Sequence, residues 1–292
     1  MTSRVVVTTA PRLPPGGGAE RLTDMPEDIT SVHITSKDGT TLAVDTVGEG
    51  APVILVGGAF NDRSTVAALG AELAPRFSVV TYDRRGRGGS DDRSGDYLVA
   101  NEVDDLAAVI AHAGGRASVF GHSSGAVLVL EGAMRGLPID RVAVYEPAYR
   151  AAEDAPGPAA DLYDRLKALV AAGDRDGAAE VFLREAVGVP DSVIAGMRSG
   201  EAWPFLTGKA PSLPYDVLLS TPWQVMPFDR LARIGVPVLA VYGDRTAPGL
   251  AEATRAVAAT VPGAELKVME GEDHAVLQRP AGLAGILADF FG

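Results

Sequence analysis

Hydrophobic positions along the chain come in short runs of two kinds. Near the start, residues 31–36 and 41–45 alternate polar and apolar side chains, with the turn-forming Lys37-Asp38-Gly39-Thr40 between them. This predicts a hairpin at the edge of a larger sheet. Further on, apolar runs at 52–56, 77–82, 117–120, 141–145 and 238–242 lack that alternation, as strands covered on both faces do, and a further strand is expected at 265–269. Helical stretches lie among them at 65–73, 102–113, 126–135 and 251–259, and another at 281–290 closes the chain. Alternating strand and helix predict the α/β class: a mostly parallel sheet with helices on both faces.

The alternation breaks between 147 and 229. That interval holds helix-like segments at 159–171, 178–185 and 191–197 and no convincing core strand. Its second half is rich in proline and large apolar residues: Trp203, Phe205, Tyr215, Trp223, Met226 and Phe228. The expected organisation is therefore a flexible lead-in at 1–28, a core formed by 29–146 and 230–292, and a helical lid at 147–229 packed over the core.

Composition narrows the function. With 292 residues, 47% of them apolar, the chain can bury a full core in one domain. Apolar windows stay short of the roughly 18 uninterrupted residues of a membrane span. The formal charge of −12 argues against nucleic acid or anionic membrane as partner. With no cysteine, disulfides, thiolate catalysis and cysteine-bound metal are excluded. The first twenty residues make a poor secretory signal, so cytoplasmic residence is the default expectation.

The chemistry concentrates at Gly121-His122-Ser123-Ser124-Gly125, between the apolar run 117–120 and a helix of small apolar residues. A G-x-S-x-G sequence there is a nucleophile elbow: a sharp strand-to-helix turn projects Ser123, and the small flanking residues let the backbone come close. The N–H of Ser124 and the positive end of the following helix would face developing negative charge. A second oxyanion donor is expected from Val56-Gly57-Gly58-Ala59-Phe60, at Ala59 or alternatively Phe60. Of the four histidines, His33 reads as surface and His112 as a helix end. His122 is too close to the elbow to turn back on Ser123, and is expected beneath the turn or lining a pocket. His274, in Glu270-Gly271-Glu272-Asp273-His274, lies just after the last predicted strand and is the candidate base. A base histidine needs a carboxylate to set its tautomer. Two strand ends offer one: Glu146, stiffened by Pro147, and alternatively Asp244 in Gly243-Asp244-Arg245-Thr246. Asp273 is too close along the chain to turn back on its neighbour.

From about residue 30 onward these features resemble the α/β-hydrolase superfamily. Gly121-His122-Ser123-Ser124-Gly125 matches its elbow, and Tyr82-Asp83-Arg84-Arg85-Gly86-Arg87-Gly88-Gly89-Ser90 is similar to its loop after strand four. The resemblance implies an α/β-hydrolase fold: an eight-stranded, mostly parallel sheet with a lid inserted after strand six. Val56-Gly57-Gly58-Ala59 stands where the family often has a His-Gly pair. Where many members place an acid after strand seven, in Gly-x-x-Asp, this chain has Thr246. Glu146 matches a minority arrangement with the acid after strand six, found in some haloalkane dehalogenases and in zearalenone-lactone hydrolases. The dehalogenases and epoxide hydrolases use an aspartate nucleophile, so Ser123 points instead to a serine esterase or lactonase. The expected reaction is cleavage of a medium-sized, largely apolar ester or lactone through an acyl-enzyme, without metal or organic cofactor. A cofactor-free lyase or cyclase, an acyltransferase, and a non-catalytic ligand-binding module are the alternatives.

Overall fold

The computed structural model describes residues 29–93, 97–152, 157–219 and 225–292. The expected lead-in at 1–28 lies outside them. The hairpin forms as read, from β1 (Thr30–Thr35) and β2 (Thr41–Val47). It leads into β3 (Ala51–Val56), α1 (Arg63–Leu73), β4 (Phe77–Tyr82), α2 (Val99–His112), β5 (Ala117–His122), α3 (Ser124–Met134) and β6 (Ile139–Tyr145). After the insertion come β7 (Val238–Gly243) and β8 (Glu265–Met269). The sheet has eight strands in the order β1-β2-β4-β3-β5-β6-β7-β8. β2 pairs antiparallel with β1 and β4, and every other pairing is parallel. This is the α/β-hydrolase fold, and its sequence pattern accounts for it.

Strand periodicity divides each central strand between two cores. In β3, Ile54 and Val56 face the cluster that also holds Leu106 and Ile110 of α2 and Leu128 and Leu130 of α3. Val53 and Leu55 face the other cluster, with Leu69 and Leu73 of α1. Because both faces are covered, the runs are apolar throughout rather than alternating. Parallel strands bring their carboxyl ends to one edge. The loops that carry Phe60, Ser123, Glu146, Asp244 and His274 therefore gather there.

Between β6 and β7 the chain builds α4 (Leu162–Ala171), α5 (Arg175–Phe182), a π-helical turn (Leu183–Val187), α6 (Asp191–Arg198), α7 (Trp203–Gly208), α8 (Leu213–Leu218) and α9 (Phe228–Leu231). Leu162, Leu166, Phe182, Trp203 and Leu213 form a third cluster, which Phe60 of the core joins. The two ends of the insertion meet: Arg150 bridges Val225, and Met226 N–H donates to Arg150 O at 3.1 Å.

The large apolar residues of the second half do not act as one group. Trp203 is buried in the insertion's own cluster, whereas Met226 packs into the α2–α3 side of the sheet. Phe205 and Phe228 are exposed, and Trp223 lies outside the described residues. Tyr215 stacks on Tyr97 at 4.2 Å between ring centres. Two helices here, α7 and α8, carry proline in the first turn, where its missing N–H costs no helical hydrogen bond. Proline as a breaker concealed them from a reading of the sequence. After β7 come α10 (Pro248–Thr260) and, at the end of the chain, α11 (Ala281–Phe291). Among the described residues no helix is long and apolar enough to cross a membrane.

Candidate functional site

Ser123 stands between the last residue of β5 and the first of α3 with φ 57° and ψ −121°. That conformation is costly for a residue with a side chain and persists where the surroundings enforce it. The flanking glycines show how. A Cβ on Gly121 would lie 2.6 Å from Ala126 Cα, and one on Gly125 would lie 2.6 Å from the Gly57 carbonyl. The N–H of Ser123 is tied to the Tyr145 carbonyl at 2.9 Å. Among the described residues the other non-glycine positions with positive φ are Phe60 (60°) and Glu146 (48°). All three follow the carboxyl ends of central strands.

Glu146 directly follows β6 and is fully buried. Its Oε1 accepts the Gly243 N–H at 2.9 Å. Its Oε2 accepts the Thr246 hydroxyl at 2.8 Å and lies 2.6 Å from Nδ1 of His274. Thr246, at the place of the usual aspartate, thus serves the carboxylate from the neighbouring strand. Asp244 does not meet His274: its Oδ1 accepts the Gly271 N–H at 2.8 Å. Asp273 turns to the Ala275 N–H at 2.9 Å.

Two further groups hold the His274 loop. Tyr145 Oη donates to the Asp273 carbonyl at 2.8 Å, and Nε2 of His122 lies 3.0 Å from the His274 carbonyl. A carbonyl only accepts, so His122 carries its proton on Nε2. Its buried Nδ1 has no partner among the described residues. Burial, with the nearby His274 ring adding to it, lowers the His122 pKa to about 3, against the bond to the carbonyl. His122 is therefore neutral in ordinary buffers. His122 is buried, and its hold on the His274 backbone joins residues 152 positions apart and left no sequence signal.

The loop after β3 runs beside Ser123. A Cβ on Gly58 would lie 2.7 Å from Ser123 Cβ and 3.3 Å from its Oγ. Gly58 N–H donates to Asn61 Oδ1 at 2.9 Å, and Asp62 caps α1. Among the described residues the N–H groups of Ala59, Phe60 and Ser124 make no hydrogen bond. Ser123 Oγ makes none to His274, whose side chain is 37% exposed. Phe60 turns its ring into the insertion, 5.5 Å edge-on to Phe182. His33 is exposed on β1, and His112 ends α2. A cavity of about 430 Å³ bordered by Asp45, Val47, Arg63 and Thr81 lies to one side, and none of Ser123, Glu146 or His274 lines it. Among the described residues no group of His, Asp and Glu side chains is arranged to hold a metal ion.

The fold, with a serine at a strained elbow after β5 and a carboxylate-bound histidine after β8, has the layout of a hydrolase. The alpha/beta hydrolase family model matches residues 53–286, and the chain belongs to that family. An alpha/beta hydrolase of known structure from Sphaerobacter thermophilus is 41% identical, with TM-score 0.83 over 89% of this chain and 100% of that one. The enol-lactonase from Burkholderia xenovorans has the same fold at 20% identity and TM-score 0.67, over 88% of this chain and 98% of that one. The 2-(acetamidomethylene)succinate hydrolase of Mesorhizobium japonicum is 33% identical over 108 residues. That match spans 35% of this chain and 39% of the relative's length.

Proposed function

We propose that the chain is a serine hydrolase that cleaves a carboxylic ester or lactone through an acyl-enzyme, with Ser123 as nucleophile, His274 as base and Glu146 as the acid that orients it. The contact of 2.6 Å between Glu146 Oε2 and His274 Nδ1 carries this reading. A carboxylate at Nδ1 holds the proton there and leaves Nε2 free to act as base. Gly243 and Thr246 also donate to the carboxylate and hold it in place.

In the proposed cycle, His274 takes the Ser123 proton as Oγ attacks the carbonyl carbon. The oxyanion is held by the N–H groups of Ser124 and Ala59. His274 then gives the proton to the departing alkoxide, which stays tethered when the substrate is a lactone. Water, deprotonated by His274, attacks the acyl group, and the proton returns to Ser123 as the acid leaves. The hydrogen bond from Ser123 to His274 belongs to the reacting complex, since such contacts are often long in the resting enzyme. The apolar cluster of the insertion, joined by Phe60 beside the proposed oxyanion donors, supports a largely apolar, medium-sized substrate. We read the insertion as a lid.

The test is hydrolysis of p-nitrophenyl esters and of simple lactones, followed by colour and by proton release. Activity toward either, lost in S123A, is expected. A parent protein inert toward both, or an S123A variant as active as the parent, would contradict the reading.

A further inference from the structure

Asp216 lies in α8 of the insertion, far along the chain from the elbow, yet it is buried against it. Its Oδ1 accepts the Ser124 hydroxyl at 2.7 Å and Arg84 Nη1 at 2.9 Å. Its Oδ2 accepts Arg87 Nη2 at 2.7 Å. The other terminal nitrogen of Arg87, Nη1, donates to the Gly58 carbonyl at 2.6 Å. One carboxylate therefore reaches Ser124 directly and the loop after β3 through a single guanidinium.

The second connection has a geometric consequence. The Gly58 carbonyl and the Ala59 N–H belong to one planar peptide unit and point in opposite directions. Holding that carbonyl therefore aims the Ala59 N–H. Arg84 is fixed in turn by Glu102, at 2.5 Å and 2.7 Å, and Glu102 accepts the Tyr97 hydroxyl at 2.7 Å. Tyr97 stacks on Tyr215, the neighbour of Asp216. The carboxylate is thus held in a network that is buried and matched in charge: two arginines against Asp216 and Glu102.

We propose that Asp216 is a positioning residue for the oxyanion hole. It sets Ser124 and the Gly58–Ala59 peptide relative to each other and so makes the insertion part of the acyl-transfer machinery as well as its cover. The proposal rests on the serine-hydrolase reading above. Its mark is a loss in turnover rather than in substrate binding, because the oxyanion exists only beyond the ground state.

The experiment compares the parent with D216N and S124A. S124A keeps the N–H but loses the hydroxyl that Asp216 holds. Removing an oxyanion donor outright costs roughly 100- to 1,000-fold in kcat. Misaiming donors is therefore expected to lower kcat ~30-fold in D216N and ~5-fold in S124A, with KM within ~3-fold of the parent. Amide hydrogen exchange at 57–61 should speed up in D216N while the central strands stay protected. An unchanged kcat in a folded D216N, or a rise in KM alone, would overturn the proposal. If D216N does not fold, S124A decides by the same kcat criterion. If the parent hydrolyses no ester or lactone, the hydrolase reading fails on its own. Hydrogen exchange then decides whether Asp216 holds the loop: faster exchange at 57–61 supports the positioning role, and unchanged exchange overturns it.

Discussion

At the scale of single residues, His122 offers a test by acid. Its pKa is lowered to about 3 in the folded chain, against an ordinary 6.5. Well above pH 6.5 neither the folded nor the unfolded chain protonates it, and its contribution to stability is complete. Below that pH the unfolded chain takes up a proton that the folded chain refuses, and stability falls until the folded pKa is reached. Between pH 6.5 and 4.5 the loss is about 2 kcal/mol. H122Q keeps an N–H donor but does not titrate. The stability difference between parent and H122Q, from urea unfolding, is expected to shrink by about that amount over the same range. A difference independent of pH would mean that His122 takes up its proton alike in both states. Among the other site residues, the serine elbow and the Glu146–Pro147 strand end were legible because each is a local pattern at the end of an apolar run. The role of Thr246 was not. The sequence showed an absent aspartate, and only the pairing of β6 with β7 shows its hydroxyl 2.8 Å from Glu146.

At the scale of elements, the central strands and their helices were legible because burial on both faces leaves continuous apolar runs. The hairpin was legible because one of its faces is polar. The later part of the insertion was not: α7 and α8 have six residues each, too few to show a helical period. They are held by contacts distant in sequence. Lys209, between them, reaches Asp62 at 3.0 Å, and Asp216 reaches Arg84 and Arg87. Burial raises the Asp62 pKa, but hydrogen bonds from Ser64 and Lys209 outweigh it and keep the carboxyl below its ordinary range. The insertion's cluster meets the core through Phe60 and Phe182. F182A is expected to destabilise the protein by about 3 kcal/mol through the cavity it leaves. It should also lower kcat/KM, because Phe60 loses its edge-on neighbour. An unchanged urea midpoint would show that the cluster unfolds independently of the core.

At the scale of the whole molecule, the site is assembled by the sheet. The serine follows β5, the carboxylate follows β6 and the histidine follows β8, three points more than 20 residues apart that parallel strands bring to one edge. The sheet brings Asp244, which follows β7, to the same edge. The sequence therefore left two acids open, and three-dimensional pairing separates them: Glu146 touches the imidazole, and Asp244 binds the backbone of Gly271. In the proposed cycle acyl transfer depends on the carboxylate after β6. Steady-state turnover of E146Q and D244N measures this most directly. Loss of the correct tautomer predicts a kcat for E146Q at least ~100-fold below the parent, with D244N within ~3-fold of it. Parent-like turnover by E146Q, or a collapse of activity in a folded D244N instead, would contradict the role of Glu146.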